Sequence, residues 1–180
     1  MKKRHGIIAF FLILMLCVTA LAGCGPKSVE DVEGVILECK QFSAKCPEGW
    51  TSIPVMELDN PEQVSANHLR FYKFEVDEGE DPATSDKRFS KTYIDIGKYP
   101  SSATLYDDSM SMYNDIQDVE LEVNGVTWKG KSGNLAGHTY AYIWKNGSTE
   151  WQVNVCLSED EGDKLEDMDI QAILASLTAK

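Results

Sequence analysis

Two Asn-Gly pairs constrain the fold more than any other feature of this 180-residue sequence. Each pair stands between runs in which apolar and polar residues alternate, the strongest short-range signal for a β-hairpin. With Asn124-Gly125 as a two-residue turn, Leu121 faces Trp128 on one side of the hairpin, and Glu120 faces Lys129 on the other. Because apolar and polar residues separate onto opposite sides, the pattern predicts an antiparallel hairpin with one buried face.

The second pair, Asn146-Gly147, predicts another hairpin further along the chain. A two-residue turn there places Tyr142 opposite Trp151 and gives this hairpin an aromatic face. The two hairpins together predict four consecutive antiparallel strands over about 119–157, with 132–134 as the middle connection.

Helical periodicity appears near the C-terminus, where four apolar residues recur at i, i+3, i+4 and i+7: Ile170, Ile173, Leu174 and Leu177. Asp167 or Asp169 is placed to cap this helix, and the sheet is the expected partner of its apolar stripe. A second helix is predicted over about 103–113. Upstream, the pattern predicts further strands at 35–39, 42–46, 69–76 and 93–98.

The N-terminal segment has the features of a secretory signal peptide over residues 1–23. A basic start precedes an apolar run at 7–16, which is shorter than the roughly 20 residues that a membrane span needs. The end of the segment, Leu21-Ala22-Gly23-Cys24, resembles the lipobox of bacterial lipoproteins. The resemblance implies cleavage before Cys24 and a lipid anchor of diacylglyceryl or palmitate type on its thiol. It therefore implies a protein held on the extracytoplasmic face of the cell membrane.

The mature chain is acidic, since residues 1–23 carry three basic residues and no acidic one, while the whole sequence has a formal charge of -12. The remaining 157 residues therefore carry -15, which argues against a nucleic-acid partner. Residues 24–34 are polar, which predicts a tether between the anchor and the domain. Residues 35–180 have the length of a single domain.

A local motif and the order of elements both resemble the PsbP/Mog1-like superfamily. The motif is the strand and turn Phe42-Ser43-Ala44-Lys45-Cys46-Pro47-Glu48-Gly49-Trp50. The order of the elements that follow is also similar: a mid-chain helix, a meander and a C-terminal helix whose last residues are 173–177. The resemblance implies an α+β fold, an α/β/α sandwich with a central antiparallel sheet and the C-terminal helix packed on it. It also implies accessory or adaptor proteins, with no catalytic residue, cofactor or metal ligand to carry over.

Three cysteines remain in the mature domain beyond Cys24, so they cannot all pair with one another. Cys46 shares a face with Phe42 and is expected to be a small buried hydrophobe. If one disulfide forms, Cys39 to Cys156 is the expected pair.

Other reactive side chains are few. His138 extends the face of Tyr140, Tyr142 and Trp144, where a hydrogen-bonded histidine at the edge of the core is expected. A hydrolase with a dispersed site around His138 is an alternative. A calcium-responsive binding module is another, because carboxylates cluster at 77–81 and 159–169, although solvated loops explain those clusters more simply.

The four tryptophans, with the tyrosines, would suit a carbohydrate or peptide site. Alternation places most of them on one sheet face, however, which favours core packing. Catalytic motifs such as G-x-S-x-G or H-E-x-x-H do not occur in the sequence. The sequence therefore predicts a non-enzymatic, membrane-anchored module that binds a protein partner or a small ligand.

Overall fold

The computed structural model describes residues 28–100, 110–145 and 148–180. The signal peptide, Cys24 and the second Asn-Gly pair therefore lie outside the described residues. Within those ranges the elements are β1 (Gly34–Glu38), β2 (Phe42–Pro47), β3 (Thr51–Ser52), β4 (His68–Tyr72), a 3₁₀ helix (Asp86–Phe89), β5 (Tyr93–Lys98), β6 (Asn114–Val123), β7 (Val126–Leu135), β8 (His138–Lys145), β9 (Trp151–Ser158), α1 (Met168–Ala175) and β10 (Thr178–Ala179).

The strands form two antiparallel sheets. The large sheet has seven strands in the order β3-β4-β5-β9-β8-β7-β6, and the small sheet has the order β1-β2-β10. The predicted central antiparallel sheet is therefore confirmed, in an α+β fold dominated by strands. In the ranges that the structure describes, the one α-helix has eight residues, and no helix there is long and apolar enough to cross a membrane.

The core lies between one face of the large sheet and a layer made of β2 and α1. Phe42 of β2 is fully buried, and its ring meets the ring of Trp151 edge-on, with the centroids 5.1 Å apart. Phe71 and Ile94 face this layer from the large sheet and are also fully buried. Burial of each such side chain contributes about 1.5–3 kcal/mol, so this layer stabilises the domain.

Helix α1 packs on the large sheet as predicted. Ile170, Ile173 and Leu174 are buried in the core, while the helix ends at Ala175, before Leu177. Asp167 occupies the N-cap position, but its carboxylate accepts a hydrogen bond from the Lys164 N–H (3.0 Å) instead of a helix N–H.

The second aspartate of the predicted cap, Asp169, joins the helix to the turn after β2. Its Oδ2 atom accepts a hydrogen bond of 3.2 Å from the Trp50 Nε1–H. The tether meets the same part of the fold, because the Glu48 N–H donates to the Glu33 carbonyl oxygen (3.0 Å). The end of the predicted tether is thus attached to the domain.

The hairpin at Asn124-Gly125 has the predicted register, with Leu121 opposite Trp128 and Glu120 opposite Lys129. Both turn residues have positive φ, 49° at Asn124 and 76° at Gly125. A type I′ turn requires that conformation at both positions, and Asn-Gly adopts it readily. Leu121 and Trp128 are buried against the core, as the alternation predicts.

The predicted register of the next hairpin is wrong. Tyr142 pairs with Asn154, and Trp151 lies on the opposite face of the sheet. Five residues, 146–150, join β8 to β9, so the connection is longer than the two-residue turn that was expected. The observed register places Ile143 opposite Val153 on the buried face.

The predicted middle connection at 132–134 is also wrong, because β7 continues through these residues to Leu135. The chain turns instead at Ala136 (φ 54°) and Gly137 (φ 81°). Gly133 lies inside the strand. A glycine is needed there because a Cβ at this position would lie 2.8 Å from the Cβ of Tyr113. The glycine that suggested a turn therefore permits a close contact within the sheet.

One other predicted element falls mostly outside the described residues, and one more differs from the structure. Most of the predicted helix at 103–113 lies outside the described residues, and its described end, 110–112, is a single 3₁₀ turn. The predicted strand at 69–76 ends at Tyr72, because the chain turns there and the Phe74 N–H bonds to the Tyr72 carbonyl oxygen at 2.9 Å.

Candidate functional site

The face of the large sheet opposite α1 carries polar and aromatic side chains, and we call it the polar face. The observed registers align these side chains in cross-strand rows. One row contains Tyr72, Tyr93, Cys156, Tyr140 and Gly133; the next contains Arg70, Asp95, Asn154, Tyr142 and Lys131; the third contains His68, Gly97, Gln152, Trp144 and Lys129.

The expected location of the aromatic residues is therefore only partly right. Trp50, Trp128 and Trp151 are buried in the core, as predicted. Trp144 and Tyr142 are half-buried on the polar face, because the β8–β9 register differs from the expected one. Aromatic side chains with polar groups beside them are typical of ligand sites.

Unpartnered polar atoms concentrate on the polar face. In the described residues, four buried side-chain polar atoms have no hydrogen-bond partner: Asp95 Oδ1, Asn154 Oδ1, His138 Nδ1 and Ser158 Oγ. Asp95 lies opposite Asn154 across β5 and β9, and His138 lies opposite Ser158 across β8 and β9. A buried polar group without a partner costs about 1–3 kcal/mol, so these two pairs make the polar face the candidate site.

Asp95 is held in place from one side. Its Oδ2 atom accepts hydrogen bonds from both Nε (3.0 Å) and Nη2 of Arg70, while Oδ1 remains without a partner. Burial alone would lower the pKa of Arg70, but the Asp95 charge and hydrogen bond outweigh it and raise that pKa. The guanidinium also lies 6.0 Å from the ring centroid of Tyr93. Asp95 is thus a charge-neutralised acceptor with one free oxygen.

The next row provides a stripe of rings around a thiol. Cys156 lies between Tyr93 and Tyr140 in register, and the Tyr72 and Tyr93 rings are 5.2 Å apart. Burial raises the pKa of the Cys156 thiol to about 11, and burial with the adjacent Cys156 raises the pKa values of Tyr93 and Tyr140. These groups stay protonated at neutral pH, so the stripe carries no charge and Cys156 is not an activated nucleophile.

His68, at the edge of the polar face, has partners for both ring nitrogens. Its Nδ1 lies 3.1 Å from Asn67 Oδ1 and 3.1 Å from Ser65 Oγ, and its Nε2 lies 2.7 Å from the Tyr99 hydroxyl. Burial lowers the pKa of His68, partly offset by the Asp95 charge. A neutral ring that donates from Nδ1 to Asn67 and accepts from Tyr99 satisfies these contacts. His68 therefore has a structural role.

His138 extends the row of Tyr140 as predicted, with ring centroids 6.3 Å apart. The expectation that it is fully hydrogen-bonded is wrong, since its Nδ1 has no partner. Its cross-strand neighbours are Ser158 and Leu135, which include no carboxylate and no thiol. Ser158 offers a hydroxyl, but neither its Oγ nor His138 Nδ1 has a hydrogen-bond partner, so these described neighbours do not form the nucleophile–base contact of a hydrolase.

The acidic clusters are paired with lysines. Asp163 accepts hydrogen bonds from Lys73 Nζ (2.6 Å) and Thr92 Oγ1 (2.5 Å), and Asp77 accepts one from Lys87 (2.9 Å). Across the described ranges, no group of three or more acidic, histidine or cysteine side chains could hold a metal ion. The geometry gives the calcium alternative no support.

The three described cysteines are free thiols, so the expected Cys39–Cys156 pairing is wrong. Cys156 belongs to the polar face, whereas Cys39 follows β1 in the layer on the other side of the large sheet. Cys46 is buried as predicted, and burial raises the pKa of its thiol to about 11.

Both ends of the connection between β5 and β6 lie on the polar face. Tyr99 packs over Gly97 at one end, and Met110 and Tyr113 lie over Gly133 at the other. The Tyr113 ring contacts the Tyr140 ring, and its hydroxyl lies 3.1 Å from that of Tyr142. Aromatic residues from both ends of this connection therefore cover glycines of the polar face.

Arg70, Asp95 and Asn154 were not among the residues predicted from the sequence. The signal that could have found them is the alternation in β4 and β5, where Leu69, Phe71, Ile94 and Ile96 alternate with polar residues. Neither a family model, a curated protein nor a solved structure matches this chain significantly.

Proposed function

We propose that this protein is a membrane-anchored extracytoplasmic lipoprotein that acts as a non-enzymatic binding module, with the polar face as its binding surface. The observation that carries the binding role is the pair of cross-strand neighbours Asp95 and Asn154, each with a buried oxygen that has no partner. The occupant would be a small ligand or a group presented by a protein partner.

The anchor is proposed from the lipobox, Leu21-Ala22-Gly23-Cys24, in which Cys24 would carry the lipid. One acyl chain binds a membrane only marginally and two bind stably, at about 0.8 kcal/mol per buried CH₂. The body of the chain has a formal charge of -15 after residues 1–23, so covalent lipid would supply the attraction to the membrane.

The non-enzymatic role is supported by the state of the candidate reactive groups. Both nitrogens of His68 are engaged, His138 has no carboxylate or thiol beside it in its rows, and Cys156 is a protonated thiol at neutral pH. Ser158 is the cross-strand neighbour of His138, but neither Ser158 Oγ nor His138 Nδ1 has a hydrogen-bond partner, so the described polar face shows no nucleophile–base hydrogen bond between them.

We also propose that the fold belongs with the PsbP/Mog1-like superfamily. The support is the motif at 42–50, which forms β2 and the turn that positions Trp50 beside α1. In this proposal the chain is an α/β/α sandwich.

Lipidation is tested with Cys24→Ala. The variant should lose acyl labelling and partition into the aqueous phase of a detergent separation, whereas Cys39→Ser, which changes another thiol, should behave as wild type. A Cys24→Ala protein that stays in the detergent phase would contradict the anchor.

Binding is tested by replacing Trp144, which is half-buried on the polar face, with a photo-crosslinking amino acid in cells. A matched probe at Ile36, which is 56% exposed on β1 on the other side of the large sheet, serves as the control. An adduct specific to position 144 is expected. Equal labelling at both positions, together with turnover in a hydrolase screen, would overturn the proposed function.

A further inference from the structure

Strand β1 forms an open edge of the small sheet, since within the described residues it pairs only with β2. Val35 and Ile36 are 61% and 56% exposed, and residues 34–37 carry no charge. The edge strand β6 of the large sheet differs, because it presents exposed carboxylates: Asp118, Glu120 and Glu122. Charged side chains on an edge oppose pairing with another strand, so β6 is protected in this way and the centre of β1 is not.

The backbone of β1 has hydrogen-bonding groups that point away from β2. The Cys39 N–H donates to the Phe42 carbonyl oxygen (3.0 Å), and the Glu48 N–H donates to the Glu33 carbonyl oxygen (3.0 Å). Residues of an antiparallel strand bond alternately to one side and to the other, so every second residue from 33 to 39 bonds to β2. The residues between them direct their N–H and C=O groups to the open edge: Gly34, Ile36 and Glu38.

From this arrangement we infer that β1 pairs with β1 of a second copy of this chain, antiparallel and with Ile36 on the twofold axis. In that register Ile36 faces Ile36 of the other copy, and Gly34 faces Glu38. Each outward-facing residue then exchanges both backbone hydrogen bonds with its neighbour, and the two small sheets join into one. Strand β1 lies on the other side of the large sheet from the polar face, so this inference is independent of the proposed binding function.

Charge and geometry favour this register over its neighbours. A shift by one residue in either direction would misalign the outward-facing backbone groups, and in one direction it would place Glu33 opposite Glu38 of the other copy. A shift by two residues would leave one outward-facing residue of each β1 without a counterpart in the other β1. In the inferred register Glu38 faces Gly34, which has no side chain, and its carboxylate is bonded to Lys180 of its own chain. The paired edges therefore bring no like charges together.

A cavity beside β1 is placed to receive a side chain of the second copy. Leu37, Val55 and Val64 are among the residues that line this space of about 490 Å³. In the inferred register Val35 of the second copy lies opposite Leu37 and on the same face of the sheet, at the mouth of the cavity. The twofold axis repeats this contact, so the exposed valine of each copy is covered in the dimer.

Residue 36 allows a charge-exchange test, because it faces itself across the twofold axis. Ile36→Glu should make the full-length protein in detergent monomeric, since two carboxylates would face each other. The fold should tolerate the change, because Ile36 is exposed and lies opposite Lys45 of its own chain. Ile36→Lys should also be monomeric, but an equimolar mixture of the two variants should form dimers. Ile116→Glu, at a 48% exposed position of β6, is the matched control and should associate as wild type does.

Analytical ultracentrifugation over about 1–100 μM measures the association, a range in which a small interface should dissociate. The mass of the wild-type species should rise toward that of two chains. In cells, the photo-crosslinking probe at Ile36 should give an adduct of two copies of this chain, which its mass separates from the adduct expected at Trp144.

A wild type that stays monomeric, a dimer that persists in Ile36→Glu, or a mixture of the two charged variants that stays monomeric would overturn the inference. An adduct at Trp144 in a protein that does not dimerise would remove the second copy from β1 and leave the proposed binding function in place.

Discussion

The Tyr99 hydroxyl lies 2.7 Å from His68 Nε2, with the two rings nearly perpendicular at 82° above Gly97. This contact links Tyr99, just after β5, to His68 of β4, which is next to the edge strand β3. Burial lowers the pKa of His68, so the ring meets the Tyr99 hydroxyl as a neutral group. Loss of this contact is therefore expected to lower the stability of the domain.

Replacing Gly97 tests this contact directly. A Cβ at position 97 would lie 2.4 Å from Tyr99 Cε2 and 2.9 Å from His68 Nε2, so Gly97→Ala should displace the Tyr99 ring. We expect a loss of about 1–3 kcal/mol in the free energy of unfolding, measured in urea. In a Tyr99→Ala background the same substitution should cost clearly less, because the clashing ring is gone. An equal cost in both backgrounds would show that the Tyr99 ring is not the group with which the new Cβ clashes.

The pH dependence of stability tests the neutral state of His68. Burial lowers its pKa from the usual 6.5, so at acidic pH the unfolded chain binds a proton that the folded protein resists. Stability from this group is complete above about pH 6.5 and falls as the pH decreases toward the lowered pKa, by at most about 1.4 kcal/mol per pH unit. Urea unfolding at about pH 7.5 and about pH 5.5 should show a larger loss for wild type than for His68→Gln. Identical losses of stability in the two proteins would contradict a neutral His68 in the folded protein.

Asp163 attaches the second acidic cluster to the sheet. Its side chain is 6% exposed and bonds to Lys73 and Thr92, and the Thr92 hydroxyl in turn accepts the Ser158 N–H at 2.8 Å. Asp163→Asn should lower the free energy of unfolding by about 1–3 kcal/mol. Asp160→Asn, at an exposed position of the same cluster, should change it by no more than about 0.5 kcal/mol. Similar effects of the two changes would refute the role given to Asp163.

The free thiols should differ in reactivity. Cys39 is half-buried beside a cavity of about 490 Å³ that Val55 and Val64 also line, whereas burial raises the pKa values of Cys46 and Cys156 to about 11. Among these three, iodoacetamide at about pH 8 should label Cys39 first and the others only after unfolding. Peptide mass spectrometry measures the order, and Cys39→Ser removes the fast product. Detection of a Cys39–Cys156 disulfide would contradict the free thiols.

The alternation of apolar and polar residues predicted most of the strands of the large sheet and the buried stripe of α1. These features depend on side chains close together in sequence, so a single chain reveals them. The short strands β3 and β10 were not predicted. Thr178 of β10 pairs with Ser43 of β2, a contact between distant parts of the chain that no local pattern encodes.

The polar face shows the limit of this reasoning. Asp95 and Asn154 are 59 positions apart, and each is unremarkable in its own strand. Their juxtaposition depends on the pairing of β5 with β9, a long-range contact that no turn specifies. A search of the sequence for catalytic or metal motifs could not find them, because two unpaired acceptors form a site only when the strands meet.

The sequence by itself determined the first hairpin, because Asn124 and Gly125 favour the positive φ that a two-residue turn needs and the flanking alternation selects its register. Only the tertiary structure decided the register of β8 and β9. A shift by one residue exchanges the two faces of a strand, so packing against β2 and α1 selected Ile143 and Val153 for the core. That choice placed Tyr142 and Asn154 together on the polar face.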